Sequence, residues 1–348
     1  MTRIRESLNA FQAFIRPREW WVGLIAGALT VVSIVATAVG YYLERPTRRR
    51  AAIFNAWQVV SSLENKGAEG GRAEALAELI SHHESLAGVN LAGAILEKVD
   101  VSNTDMHKAT LSNVEFTHCF LRSANLSGAI LDRGWFIDGC DFTHATFNRT
   151  SIRGTLFSAA IMPTAQFRDT TADAGTKFDD VILKEAAVSN SHLAHVIFNN
   201  VDCTGARFND TDLSLARFQN SVAVDWRWRA VTAPGVTLEK LNARGAHFEW
   251  ETVLRESHFD QADLTRAHFD HVDLHDAILF GANLTHATFV DSDLSGADFT
   301  SALLTDARFI RCNIEDAIFT TDRQKHYERR NFIGCTGNPK IIALGGPQ

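Results

Sequence analysis

Proline and methionine are scarce, 6 and 3 among 348 residues. That scarcity argues against a core pieced together from irregular segments and flexible gap-fillers. Catalytic motifs are missing as well: there is no nucleophile elbow, no phosphate-binding glycine loop and no HExxH zinc motif. The five cysteines show no zinc-ligand spacing. Their odd number fits a reducing compartment. Positive charge is short where most of the chain lies, with 31 Asp and Glu against 19 Lys and Arg over residues 88–320. Such an acidic body is poor material for counterion release, which argues against direct binding of nucleic acid.

One long apolar run is present. Trp20 to Leu43 is free of charge for 24 residues, about 36 Å as a helix and enough to cross a bilayer with some tilt. Trp20 and Trp21 at one end, with Tyr41 and Tyr42 at the other, match interfacial aromatic belts. A signal peptide would have a shorter apolar core and a small-residue cleavage site. The run therefore reads as a retained single-pass anchor in the inner (plasma) membrane. Four arginines flank each side, so the positive-inside count ties. The tighter cluster at Arg45, Arg48, Arg49 and Arg50 leans towards a cytoplasmic body. Thr47 to Leu63 reads as a helix with Ile53, Trp57, Val60 and Leu63 on one stripe, for a membrane surface or a packed neighbour. A Gly-rich break at 66–71 precedes a second helix, 72–81, suited to covering the first turn of a repeat stack.

From Leu91 to Phe319 the chain keeps a beat of five. Over that length, 40 of 45 central positions are Leu, Phe, Ile, Val or Met, and 17 of the 23 Phe stand there. A small residue lies two places before most centres, as in Ala262–Leu264 and Ala282–Leu284. Five matches neither 3.6 nor 2, which excludes an amphipathic helix or an ordinary strand and points to stacked repeats. One-residue slips fall before Phe142, within 168–177 and, by this count, between Val253 and Phe259.

The motifs ANLSG (124–128), ADLTR (262–266), ANLTH (282–286) and ADFTS (297–301) resemble the pentapeptide-repeat family. That resemblance implies an all-β solenoid, a right-handed quadrilateral β-helix with four pentapeptides per coil, here preceded by one transmembrane helix and short α-helices. About eleven coils would give a rod of roughly 50 Å. The expected organisation is a basic segment (1–19), the span (20–43), juxtamembrane helices and cap (44–87), the β-helix (88–320), and a C-terminal cap and tail (321–348). A column filled by its own side chains has no cleft, so no catalytic residue, metal, cofactor or small-molecule substrate is expected. His268, His271 and His275 read as a splayed polar face.

Two features suggest a protein partner. In 219–235, Trp226 falls in a small-residue slot too narrow for it. The stretch therefore reads as a loop or bulged coil leaving the rod, with Trp226, Arg227, Trp228 and Arg229 at its tip, or as a packed irregular coil with the rings folded back. The second feature is acidity: residues 259–319 hold 11 acidic and 3 basic side chains, Asp291 and Asp293 among them. Resemblance to the quinolone-resistance members would imply a DNA mimic that binds a type II topoisomerase. The membrane span departs from those members. The primary expectation is a membrane-anchored, non-enzymatic scaffold for an unidentified protein, the DNA mimic being the alternative.

Overall fold

The computed structural model describes residues 2–62, 71–321 and 331–343. The chain divides into two compact units, Met1–Asn55 and Ala56–Gln348. Helix α1 (Thr2–Ser61) supplies the whole of the first. The sequence separates a basic segment, a span and a juxtamembrane helix, whereas the backbone joins all three in one helix. Pro46 removes one helical donor, and its ring crowds the carbonyl four residues back. From residue 24 to 39 the apolar side chains of this unit are bare; Leu29 and Ile34 are each 65% exposed. One helix of the described chain is long and apolar enough to cross a membrane. Of the four flanking aromatics only Tyr41 lies within the described side chains, and Arg45 places its guanidinium 4.9 Å from that ring.

The second unit begins with the last turns of α1, where Ala56 and Val60 are buried and Trp57 is half-buried, while Leu63 lies outside the described residues. The break at 66–70 lies outside the described residues. Helix α2 (Arg72–Ser81) lies where the sequence places it, with Leu76 and Leu79 fully buried. The Arg72 guanidinium donates to the Ser62 carbonyl, tying α2 to the end of α1.

From Leu91 the chain winds into a parallel β-solenoid of about 12 turns. Leu96 pairs with Phe116, which sets one coil at 20 residues. Parallel ladders link the coils: the Leu111 amide donates to the Ile130 carbonyl at 2.7 Å, and the Ile130 amide to Ala109 at 2.9 Å. Strands are mostly three residues long with the middle one buried, as in Glu115–Thr117 and Arg227–Arg229. Inside, Leu and Phe centres stack. Phe178, Phe198 and Phe218 stand 5.0 and 4.4 Å apart with rings nearly parallel. The small residues two places earlier, such as Ala262, Ala282 and Ala302, are also buried.

The corners explain the rest of the pattern. Two places after the centre, the backbone is left-handed: Asn103 (φ 58), Asp276 (φ 55) and His286 (φ 59) occupy this position. Asn, Asp, His and Gly tolerate it best, which accounts for their frequency there. A slip is absorbed at a corner without loss of register. Phe136 pairs with Phe157, 21 positions on, so one coil carries an extra residue at Asp138–Gly139.

Two expectations need correcting. The last slip is not after Val253: Leu254 is fully buried and Val253 is not. The extra residue sits at Trp250 and Glu251, both with positive φ. Adjacent Val and Leu make that step ambiguous in sequence. Beyond Phe319 the beat is lost but the ladder is not. Phe309 pairs with Phe332, and Phe319 with Ile341. Within the segment expected as a C-terminal cap, Phe332–Ile333 and Lys340–Ala343 thus add rungs to the ladder; residues 322–330, Tyr327 among them, and the tail from 344 lie outside the described residues.

Candidate partner-binding surface

Residues 219–235 do not leave the column. Trp226 and Trp228 are both 0% exposed, and the stretch forms an ordinary coil whose Arg227–Arg229 strand pairs with Arg207–Asn209 and His247–Glu249. The expectation of a protruding loop is overturned by volume. Alanines occupy the neighbouring centres 223, 233 and 243, and the two indoles take up the space that Leu or Phe would fill. Trp226 meets Phe218 edge-on at 5.3 Å. The fit leaves a polar cost, because Nε1 of both indoles is buried without a hydrogen-bond partner.

Arg227 and Arg229 point outwards from the same strand. Arg227 is in register with Arg207 below and His247 above, and His247 with His268. Like charges at ladder spacing repel, and neither Arg207 nor Arg227 has a carboxylate partner among the described residues. Arg229 instead lies over the ring of Trp250, 4.7 Å from its centroid. Trp250 is 59% exposed. It stands at the inserted corner, in a left-handed conformation that a bulky residue adopts at a cost. Asn209, Asp210, Arg229, Trp250 and Glu251 line an open depression beside it. Trp250 escaped the sequence analysis because the five-residue count puts the slip after it.

The acidic candidates are engaged by their own protein. Asp291 accepts Arg311 Nε at 2.6 Å and a second bond from the same guanidinium. Arg311 holds the Asp291 carboxyl below the usual carboxylate range. Asp293 accepts the Ser295 amide at 3.0 Å and Asn313 Nδ2 at 2.9 Å. Asp291 stands at the corner that ends strand Thr288–Val290, three ladder steps from Arg227–Arg229, and Asp293 follows in register with Asp273.

The three nearby histidines are likewise separate in their bonding. His271 Nδ1 lies 2.9 Å from Asp270, and His275 Nδ1 lies 2.9 Å from the Ser295 hydroxyl. His268 faces His247, ring centroids 5.9 Å apart. Cysteines at the inward positions are buried, as their register implies. Burial pushes the Cys312 thiol up to about 12 and raises that of Cys203 further, which leaves both inert as nucleophiles. Cys335, outside the sequence repeat, falls on the rung above Cys312, since Asn313 bridges Thr336.

Comparison with solved structures returns solenoids of the same kind. HetL from Nostoc sp. strain PCC 7120, a pentapeptide repeat protein involved in heterocyst differentiation regulation, is 17% identical. The match covers 68% of this chain and 96% of HetL, with a TM-score of 0.38. Full-length QnrB1, a plasmid-mediated fluoroquinolone resistance protein, is 19% identical over 70% of this chain and 92% of its own, with a TM-score of 0.25. No curated protein matches significantly in sequence. Family profiles do match: one described as a pentapeptide repeat region covers 252–327, and one for eight copies of the repeat covers 85–122, 108–136 and 189–222. The matched stretches lie on 20-residue coils with a filled interior, and this chain is thus similar to pentapeptide-repeat proteins.

Proposed function

We propose that this chain is a membrane-anchored, non-enzymatic scaffold that offers a rigid solenoid wall to a protein partner. The observation that carries the reading is the Arg229–Trp250 pair. An aromatic ring 59% exposed at the inserted corner lies 4.7 Å from a guanidinium of the neighbouring coil. Trp and Arg are enriched at binding hot spots, Trp for the large area it buries and Arg for its fork of charged donors. Arg207 and Arg227 extend the surface with unneutralised charge, which a partner with carboxylates would relieve.

The bare apolar helix supports anchoring through 20–43 in the plasma membrane, because an uncovered apolar surface of that length is costly in water. Arg45 to Arg50 favour the cytoplasmic side for the solenoid. A DNA mimic would need carboxylates free to face a topoisomerase. Asp291 and Asp293 already serve Arg311 and Asn313, so the scaffold reading is favoured.

A photo-crosslinking residue at position 250, in the full chain in its native membrane, tests this. One discrete adduct is expected from 250 and none from 285 on another wall. Arg229→Glu should abolish it. Equal or absent crosslinking from the two positions contradicts the reading.

A further inference from the structure

We propose that Glu239, His258 and Asp260 form a site for a divalent metal ion of the zinc class on the outer wall of the solenoid. The proposal is independent of the partner surface. Thr237 and His258 form a parallel bridge, so Glu239 and Asp260, each two places further on, stand one ladder step apart, about 4.8 Å. The backbone thus sets the spacing before any side chain adjusts. One ligand atom from each of the three residues lies within 4.8 Å of the others. His258 Nδ1 is 3.7 Å from Asp260 Oδ2. That is too far for a hydrogen bond, but it suits two atoms each about 2.1 Å from a shared ion.

A second observation points the same way. Asp260 Oδ2 is buried without a hydrogen-bond partner. Buried carboxylate oxygens are almost always satisfied, and where the protein offers no partner an ion or an ordered water does so. Glu239 has no ion pair or hydrogen-bond partner of its own among the described residues. The other histidine–carboxylate group, Asp270, His271 and Asp291, differs on this point. There Arg311 already supplies the positive charge to Asp291, and no ion is assigned to it.

The donor set selects the ion. An imidazole nitrogen with two carboxylates suits zinc and its neighbours cobalt and nickel, with water completing the shell. Calcium and magnesium prefer all-oxygen sites and gain nothing from His258. Coordination uses the imidazole lone pair, so protons compete with the ion. When bound, the ion would clip two successive coils together from outside and neutralise two acids.

Titration of zinc into the untagged full chain in detergent micelles tests the site. One saturable site is expected. His258→Ala and Asp260→Asn should each weaken it at least about tenfold, while Asp291→Asn should leave it unchanged. All three substitutions face outwards, and circular dichroism melts verify that the solenoid stays folded. Cobalt(II) in place of zinc should give visible ligand-field bands without the near-ultraviolet band of a thiolate, separating the site from the cysteines. A thiolate band, an affinity unaffected by His258→Ala, or no saturable binding would each overturn the proposal.

Discussion

The indoles of Trp226 and Trp228 meet inside the column, their ring centroids 4.7 Å apart and their planes inclined at 46°. Both nitrogens are buried and unpaired. An unmade hydrogen bond on a buried donor costs about 1–3 kcal/mol. Trp226→Phe should therefore lose little stability, since lost volume is offset by removal of an unsatisfied N–H. Trp226→Ala opens a cavity and should cost about 3–5 kcal/mol. Thermal melts of the two variants give the order; equal losses would contradict it.

The inward and outward positions should differ sharply. Leu284 is fully buried, whereas Thr285 lies partly exposed and its hydroxyl bonds only within its turn, to Asn283 Oδ1. Leu284→Asp buries an unpaired charge and should cost several kcal/mol, about 3 or more. Thr285→Asp should stay within about 0.5 kcal/mol. Denaturant titration measures both.

Gly337 closes the last coil at φ +94, and a Cβ there would approach the Glu315 amide nitrogen to 2.4 Å. Backbone cannot yield as a side chain can. Gly337→Ala should release the 331–343 ladder and raise its hydrogen exchange, leaving coils before 300 protected, because solenoid coils lean only on their neighbours. Uniform loss of protection would contradict this.

Acid should weaken the column through Asp141. Burial alone would raise this carboxyl, but bonds from the Thr143 hydroxyl and amide and from Arg122 outweigh it and hold it below the usual range. A folded pKa below the unfolded one stabilises above about pH 3.9 and is lost as pH falls through the folded value. The melting temperature should fall in that window, and less steeply in Asp141→Asn. Parallel pH profiles would contradict the assignment.

The periodic part of this fold was legible because each inward position repeats one physical demand. A bulky centre fills the axis, a small residue closes the corner, and the sequence displays both every five residues. The cap helix was legible from Leu76 and Leu79 for the same reason. Trp226 was not. Its room comes from Ala223, Ala233 and Ala243, which become its neighbours only once the coils are wound. Trp250 was missed because Val253 and Leu254 are both apolar, and chain order alone cannot say which points inwards. The final rungs were hidden by residues 322–330, which interrupt the count while the ladder resumes at Phe332. Pairing of Asp291 with Arg311 joins residues 20 apart, a spacing that carries meaning only after the coil length is known.

The account rests on a filled four-walled column in which every fifth residue is sealed. Single cysteines placed in turn at positions 279 to 289, in the full chain, test this through their rates of thiol labelling. Protection is expected at 279, 284 and 289 and at the small positions 282 and 287, with fast labelling at 281, 285 and 286. Protection that alternates every second residue, follows a helical period, or is absent would contradict the column.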